Sequence, residues 1–434
     1  MGDIRSRLLK QADDSRDRVI GFLGDLVRAQ RQGEAAVQAL VSARMADIGC
    51  TIEDLTYDPT GIVLKDEFAS ELVINAGERV SVIGRYGGAG GGRSLLMFAH
   101  PDGEPVARTE EWTHDPFAAE IDAGRMYGWG VADDLMGVAA GVSALDVIAA
   151  TKTRLKGEVI MASTPSKRHA RGITAVLNNG YGADAALYLH PAESGAGLGE
   201  IKALSSGQLI FRIRVTGRRP DTTEPGHATF AHLAVNPIDK AVVLHQALTA
   251  FGEARAERVH HPVLDAAVGR STNVMVSGIQ CGFERSLTQL SPVCELGGAL
   301  SYPPSEKLLD VRAEAEAAIK AAIAVDPWMK DNPPEVIWLS GVSGTEIKTD
   351  HPLYRTVSSA ITEVTGTEPS VNPMHTSSDI RVPLVQKGIP TVGIGSLSGN
   401  LAQNGLLDEW VDVADFVNLV KATAVIIAEW CTSA

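Results

Sequence analysis

The chain has 434 residues, of which 44% are hydrophobic and 21% charged, and its formal net charge is −14. This length allows two domains with separate cores, and the composition is that of an ordinary globular protein. The acidic balance argues against a nucleic-acid partner, because phosphate backbones attract basic surfaces.

Cysteine usage and hydropathy indicate the compartment. The four cysteines have no paired metal-binding spacing, which is typical of free thiols in a reducing environment. The N-terminal residues lead into a charged helical pattern, and no apolar run reaches membrane-spanning length. We therefore expect a cytoplasmic protein without a membrane partner.

The first half of the chain alternates helical and strand-like patterns. Residues 4–48 have the periodicity of two amphipathic helices, and strand-like runs follow at 80–84 and 95–99. A helix is predicted over 135–150 and a buried strand over 157–162. This alternation predicts an α/β domain with a mostly parallel sheet and helices on both faces. Ligands of such sheets bind beyond the carboxyl ends of the strands.

The pattern changes near residue 205. Residues 208–215 alternate polar and apolar side chains, as in a strand with one exposed face. Further strands are predicted near 272–279, 295–300 and 334–339, and helices over 237–253 and 305–325. The order β-α-β-β-α-β predicts an inserted α+β ferredoxin-like domain. We place it at residues 205–342, within a metal-binding α/β domain of residues 1–204 and 343–434.

Two motifs in the first half predict a metal site. His100-Pro101-Asp102 follows an apolar strand, and Asp133-Asp134 ends a Gly-x-Gly-x-x-Asp-Asp loop before a helix. His100 can bind a metal through one ring nitrogen while Asp102 holds the other, and Asp133 offers a carboxylate oxygen. Either motif alone is more often a core histidine or a helix N-cap. Both together, each near the end of a strand, favour a metal site.

These motifs resemble those of the co-catalytic zinc hydrolases. That family includes aminoacylases, acetylornithine deacetylase, succinyl-diaminopimelate desuccinylase, carnosine dipeptidases and glutamate carboxypeptidases. The sequence motifs of the family are His-x-Asp, Asp-Pro-Phe and Gly-Arg-Gly-x-x-Asp-Asp-Lys-Gly. The corresponding residues of this chain are 100–102, 115–117 and 128–134. The similarity continues at residues 226–228, 236–238, 376–379 and 388–390. The resemblance implies that the inserted domain is a lid that carries a dimer contact, so a homo-oligomer, dimer or larger, is expected.

The third motif of the family is changed in this chain. The family has Glu-Glu after a strand, the first a general base and the second a metal ligand, and here Lys167 and Arg168 align with that pair. His190 replaces the family's third carboxylate ligand, and Gln403 stands where a late histidine ligand is expected. One of the two family metals therefore loses two of its three ligands.

The other family metal keeps a complete set of possible ligands. His100, Asp133 and His190 are all residue types that bind metals, and the carboxylate and imidazoles suit manganese, zinc, cobalt or iron. The resemblance therefore implies one divalent transition metal per chain, held less tightly than in two-metal relatives.

The remaining candidates surround this predicted centre. Arg168 would clamp a substrate carboxylate, although a solvated loop charge is the alternative, and His227 matches the lid histidine that reaches the reacting oxyanion in the family. We assign Asp102, Lys167 and His227 as candidate catalytic residues, and Arg168, His375, Arg381 and Gln403 as candidate substrate-binding residues. The expected substrate is a small-molecule carboxylate.

The lost base limits the chemistry. General acid–base help contributes roughly 10²–10⁴-fold to amide hydrolysis, and Lys167 is a poor substitute. An electron-poor aromatic amine would hold the developing charge itself, and the family includes a 5-nitroanthranilate aminohydrolase. The leading hypothesis is therefore deamination of 5-nitroanthranilate to 5-nitrosalicylate and ammonia by metal-activated water. The alternatives are cleavage of small N-acyl amino acids with Glu193 or His375 as the base, and a non-catalytic ligand-binding relative.

Overall fold

The computed structural model describes residues 2–74, 76–101, 106–165, 170–191, 194–374 and 377–433. The chain divides into two compact units. The first comprises Met1–Leu64, Ile74–Leu204 and Thr345–Ala434, and the second comprises Lys65–Val73 and Ser205–Gly344. The segment Lys65–Val73 thus belongs to the second unit, whereas the sequence analysis placed it in the metal-binding domain.

The elements are numbered in chain order. The strands are β1 (Thr51–Tyr57), β2 (Phe68–Ala69), β3 (Arg79–Gly87), β4 (Leu95–Ala99), β5 (Glu120–Asp122), β6 (Arg125–Tyr127), β7 (Glu158–Ser163), β8 (Ala185–Leu189), β9 (Glu200–Ile201), β10 (Leu204–Ser205), β11 (Gly207–Thr216), β12 (Asn273–Cys281), β13 (Val293–Tyr302), β14 (Glu335–Val342), β15 (Thr345–Glu346), β16 (Ser370–Val371), β17 (Thr391–Ile394), β18 (Ser398–Gly399) and β19 (Trp410–Asp412). The helices are α1 (Gly2–Asp14), α2 (Arg16–Ala29), α3 (Glu34–Ile48), α4 (Met136–Ala150), α5 (Arg171–Asn178), α6 (Pro237–Ala256), α7 (Pro262–Val268), α8 (Leu308–Val325), α9 (Pro327–Asp331), α10 (Pro352–Thr365), α11 (Arg381–Lys387) and α12 (Val413–Thr432).

A six-stranded sheet forms the centre of the first unit, with the strand order β1-β3-β7-β4-β8-β17. The four strands from β7 to β17 are parallel, and β3 runs antiparallel to both of its neighbours. Alternate side chains of β4 face opposite sides: Leu95 and Met97 pack with one core cluster, and Leu96 and Phe98 pack with another. Helices cover both faces, which confirms the predicted α/β architecture.

The N-terminal region corrects one prediction. Residues 4–48 were expected to form two helices, but the structure has three, α1, α2 and α3. Helix α1 ends before Ser15, and α3 begins after Gly33, whose φ of 95° is a conformation that glycine adopts without strain. The apolar periodicity did not reveal the break at Ser15, because it continues across it.

The second unit contains an antiparallel sheet with the order β12-β13-β11-β14-β2. Strands β11 to β14 and helices α6 and α8 follow the predicted β-α-β-β-α-β order. Helix α6 contributes Ala241, Leu244 and Leu248 to the core cluster of this unit, and β11 contributes Phe211 and Ile213. Strand β2 extends the sheet at β14, through pairing of Phe68 and Ala69, and this explains why Lys65–Val73 belongs to this unit.

Among the residues that the structure describes, none of the helices has the length together with the apolar content needed to traverse a lipid bilayer.

Candidate metal centre

Two histidines lie side by side at one edge of the six-stranded sheet. His100 directly follows β4, and His190 directly follows β8. The two strands are parallel neighbours in which Phe98 pairs with Tyr188, so both histidines leave the sheet at the carboxyl ends of the strands. Their ring centroids are 5.9 Å apart.

Asp133 lies between the two imidazole rings. It belongs to the turn between β6 and α4, and its peptide bond to Asp134 is cis. One carboxylate oxygen, Oδ1, is 3.3 Å from His100 Nε2 and 3.1 Å from His190 Nε2. All three residues are at most 4% exposed.

The donor set fits a transition metal. Protein ligands bind such ions at about 2.0–2.2 Å, so two ligand atoms on one ion lie roughly 3–3.5 Å apart. The distances from Asp133 Oδ1 to the two imidazole nitrogens match this spacing, and possible ligand atoms of all three residues lie within 4.8 Å of one another. Within the described ranges, no other group of three histidine, cysteine or acidic residues meets this criterion. His100, Asp133 and His190 could therefore hold one divalent ion.

Asp134 adds a second buried carboxyl beside the predicted ligands. Its Oδ2 accepts a hydrogen bond of 3.3 Å from the backbone N–H of His100. Burial raises the pKa of the Asp134 carboxyl well above its ordinary value, although His100 opposes this effect. Asp134 thus places a second carboxyl, which burial shifts towards its neutral form, beside the predicted ligands.

A family model describes most of the chain. The model for peptidase family M20/M25/M40 matches residues 96–429, which include the three predicted ligands.

The chain belongs to peptidase family M20/M25/M40. It is therefore a metal-dependent hydrolase that acts on carbon–nitrogen bonds, as the resemblance to co-catalytic zinc hydrolases predicted.

Individual M20 relatives share the sequence pattern and the fold. The chain is 26% identical over 353 residues to an N-formyl-4-amino-5-aminomethyl-2-methylpyrimidine deformylase from Halalkalibacterium halodurans, covering 78% of this chain and 79% of the relative. Its fold is similar to that of the dipeptidase Dug1p from Saccharomyces cerevisiae, with a TM-score of 0.73 at 14% identity and all of both chains covered. Human carnosine dipeptidase 1 gives a TM-score of 0.71 at 15% identity, with 99% of each chain covered.

Asp102, Lys167, Arg168 and His375 lie outside the described residues, as does the alternative base Glu193. Their roles remain predictions from the sequence.

Three other predicted residues lie in described parts of the chain. Arg381 is buried, and its Nη1 donates to Ser377 O at 2.8 Å and to Asp379 Oδ1 at 2.9 Å, so it organises the loop before α11. Gln403 is half-buried in the short 3₁₀ helix Ala402–Asn404. The roles of Arg381 and Gln403 in substrate binding stay predictions.

His227 belongs to the second unit. Its side chain is exposed, its Nε2 lies 3.2 Å from Glu224 Oε2, and it lines a cavity of about 730 Å³ within that unit. Its predicted approach to a reacting oxyanion remains a prediction.

Glu409 is a site residue that the sequence analysis missed. It is buried just before β19, and its Oε1 accepts hydrogen bonds from the backbone N–H groups of Ala132 and Asp133 at 2.9 and 3.0 Å. Its Oε2 accepts from the N–H groups of Gly130 and Ala402 at 3.2 and 3.1 Å. Burial, together with the nearby Asp133 carboxylate, raises the pKa of Glu409 to about 7. Glu409 thus fixes the loop that presents Asp133.

Sequence alone offered only a weak signal for this role. Asp408 and Glu409 form an acidic pair before β19, and β19 pairs with β6, the strand that precedes the Asp133 loop. An acidic residue at a strand start is common on protein surfaces, so the pair by itself does not indicate a buried clamp.

We expect the Glu409→Gln variant to bind metal about 10–100-fold more weakly, the range found when groups that orient metal ligands are removed. A glutamine amide would place an NH₂ group against backbone N–H donors, leaving at least one buried donor without an acceptor. Competition with a fluorescent chelator measures the affinity, and Glu368→Gln, on an exposed residue, is the matched control. Equal affinities for Glu409→Gln and the wild type would show that Glu409 does not support the metal loop.

Proposed function

We propose that this M20 hydrolase works with a single divalent metal held by His100, Asp133 and His190. The proposal rests on the convergence of both Nε2 atoms on one oxygen of Asp133, at distances compatible with a shared ion. An ion bound there would supply Lewis acidity, which generates hydroxide from water near neutral pH. In the family the second metal also needs the second glutamate of the Glu-Glu pair and the late histidine, which Arg168 and Gln403 replace here.

The proposed reaction is hydrolytic deamination of an electron-poor aromatic amine, with 5-nitroanthranilate as the substrate. Hydroxide adds to the ring carbon that bears the amine, and the nitro group holds the resulting negative charge. The carbon–nitrogen bond then breaks, the amine leaves as ammonia with a proton from water, and 5-nitrosalicylate remains. Because the ring itself stabilises the charge, this reaction depends less on the general base that the chain lacks at the family position.

The proposed substrate also needs a partner for its carboxylate. The carboxylate of the substrate would be held by Arg168, whose planar guanidinium can donate two parallel hydrogen bonds.

The second candidate function is hydrolysis of a small amide. The deformylase from Halalkalibacterium halodurans is similar along more than three quarters of the chain, and the name of that relative describes removal of a formyl group from nitrogen. A formyl amide is also a carbon–nitrogen bond that metal-activated water can cleave.

Activity measurements on protein loaded with one known metal distinguish deamination from amide hydrolysis. Purified protein is loaded with manganese, zinc, cobalt or iron(II), and ammonia and 5-nitrosalicylate are measured with 5-nitroanthranilate as the substrate. N-formyl and N-acetyl amines and amino acids form the parallel panel. We expect equal amounts of ammonia and 5-nitrosalicylate, and none from anthranilate, whose ring cannot hold the charge.

Two results would reject the deamination proposal. Hydrolysis of the amide panel without release of ammonia from 5-nitroanthranilate would favour the second candidate. Binding of metal with no turnover of any substrate would indicate a non-catalytic relative.

A further inference from the structure

A buried lysine lies against the predicted metal ligand His190. Lys202 is 1% exposed, and its Nζ is 2.7 Å from His190 Nδ1, the ring nitrogen that faces away from Asp133. Metal-binding histidines usually donate this second ring N–H to a carboxylate, a backbone carbonyl or water. A lysine at this position is therefore unusual.

The backbone and a neighbouring glycine hold Lys202 in place. Its N–H donates to Gly393 O and its carbonyl accepts from Gly393 N–H, both at 2.8 Å, which attaches this residue to β17. A side chain at Gly393 would begin 3.1 Å from Lys202 Cβ and 3.3 Å from its Cδ. The absence of that side chain lets the aliphatic part of the lysine pass to His190.

The direction of the hydrogen bonds follows from the chemistry of the ammonium group. In its ordinary charged form Lys202 can only donate, and His190 Nδ1 then accepts from it, which puts the ring proton on Nε2. The Nε2–H group then donates to Asp133 Oδ1, 3.1 Å away. Lys202, His190 and Asp133 thus form a hydrogen-bonded chain that occupies the nitrogen lone pair and the carboxylate that a metal would use.

A second group near His190 Nδ1 favours the other tautomer of the ring, with the proton on Nδ1. The carbonyl oxygen of Pro191 lies 3.2 Å from His190 Nδ1. It can accept a hydrogen bond from Nδ1–H, which leaves the Nε2 lone pair available for a metal. The two groups that face Nδ1 therefore favour opposite tautomers of His190.

We infer that Lys202 weakens metal binding at this centre, because it competes through His190 for the ligand atoms and adds a positive charge beside them. The inference rests on the proposed metal site and adds to it a residue that sets its affinity. Groups that contact metal-binding histidines usually change metal affinity by about 10–100-fold. For Lys202 the sign is reversed, so removing the lysine strengthens binding.

The test compares manganese affinities of the Lys202→Met and Lys202→Gln variants with that of the wild type. Free manganese is measured by its electron paramagnetic resonance signal during titration of the purified full-length chain, and thermal unfolding verifies that each variant is folded. We expect both variants to bind manganese at least about tenfold more tightly. Lys320→Met, on an exposed lysine of α8, should have the wild-type affinity.

The possible results distinguish a failure of this inference from a failure of the proposed metal site. Equal or weaker binding by a folded Lys202 variant overturns the inference, because a lysine that merely orients His190 would lower the affinity on removal. If one variant does not fold, the other decides. The Asp133→Ala variant is measured in the same series: binding that survives in it would show that the metal lies elsewhere, and the proposed function would then fail independently of Lys202.

Discussion

We expect the Asp133→Ala variant to lose its metal and, with it, hydrolytic activity. Asp133 Oδ1 is the atom on which both imidazoles converge, so its removal leaves two neutral nitrogen ligands and no bound carboxylate oxygen. The metal affinity should fall by more than about 100-fold, the upper limit for groups that only contact the ligands. Atomic emission spectroscopy after gel filtration counts metal per chain, and turnover is measured on the same samples.

Asp122→Ala is the matched control, because Asp122 is exposed in β5 and has the same side chain. This variant should retain the metal content and the activity of the wild type. Retention of metal by Asp133→Ala at the wild-type level would contradict the assignment of the centre.

The Gly137→Ala substitution should cause the largest loss of stability that we predict from packing. A Cβ atom at Gly137 would lie 1.8 Å from the carbonyl oxygen of Leu189 and 2.6 Å from Asp134 Oδ1. Helix α4 must then move away from the end of β8, at a cost of about 3 kcal/mol, which is the upper part of the usual range for overpacking. Because Leu189 precedes His190, the shift also displaces a predicted ligand. We expect a lower midpoint of thermal unfolding and weaker metal binding.

Gly21→Ala provides the control for this helical glycine. Gly21 is exposed in α2, and a Cβ there would meet no atom within 4 Å. Alanine in a helix interior is favoured over glycine by roughly 0.5–1 kcal/mol, so this variant should be slightly more stable than the wild type. If Gly137→Ala unfolds at the wild-type temperature with unchanged metal affinity, the close approach of α4 to β8 does not constrain the site.

The three ligands could be predicted from the sequence because local patterns determine where they lie. Apolar runs place His100 and His190 at the ends of parallel strands, and the Gly-x-Gly-x-x-Asp-Asp motif places Asp133 at a helix start. The carboxyl ends of parallel strands meet at one edge, so strand order alone brings such residues together. The structure places the ligand atoms of these three residues within 4.8 Å of one another.

The residues that contact the ligands, Glu409 and Lys202, could not be predicted from the sequence. Their roles depend on contacts between distant parts of the chain. Glu409 acts on Ala132 and Asp133 only because β19 pairs with β6. Lys202 reaches His190 only because its backbone is bonded to Gly393 in β17. Neither residue belongs to a motif, and a buried charge cannot be distinguished from a surface charge by local periodicity.

The centre combines imidazole ligands with neighbouring acidic and basic side chains, whose effects on metal binding have opposite signs. Glu409 and Asp134 add carboxyl groups near the predicted ligands, whereas Lys202 adds a cation at the far side of His190. Metal affinity should therefore respond in opposite directions to Glu409→Gln and Lys202→Met. A centre built only for tight binding would have an acceptor in the place of Lys202.

Anomalous X-ray scattering from crystals soaked in manganese tests the single-metal account most directly. The account predicts one anomalous peak per chain, about 2.0–2.4 Å from His100 Nε2, Asp133 Oδ1 and His190 Nε2. Two peaks bridged by Asp133, or a single peak remote from these three atoms, would contradict it.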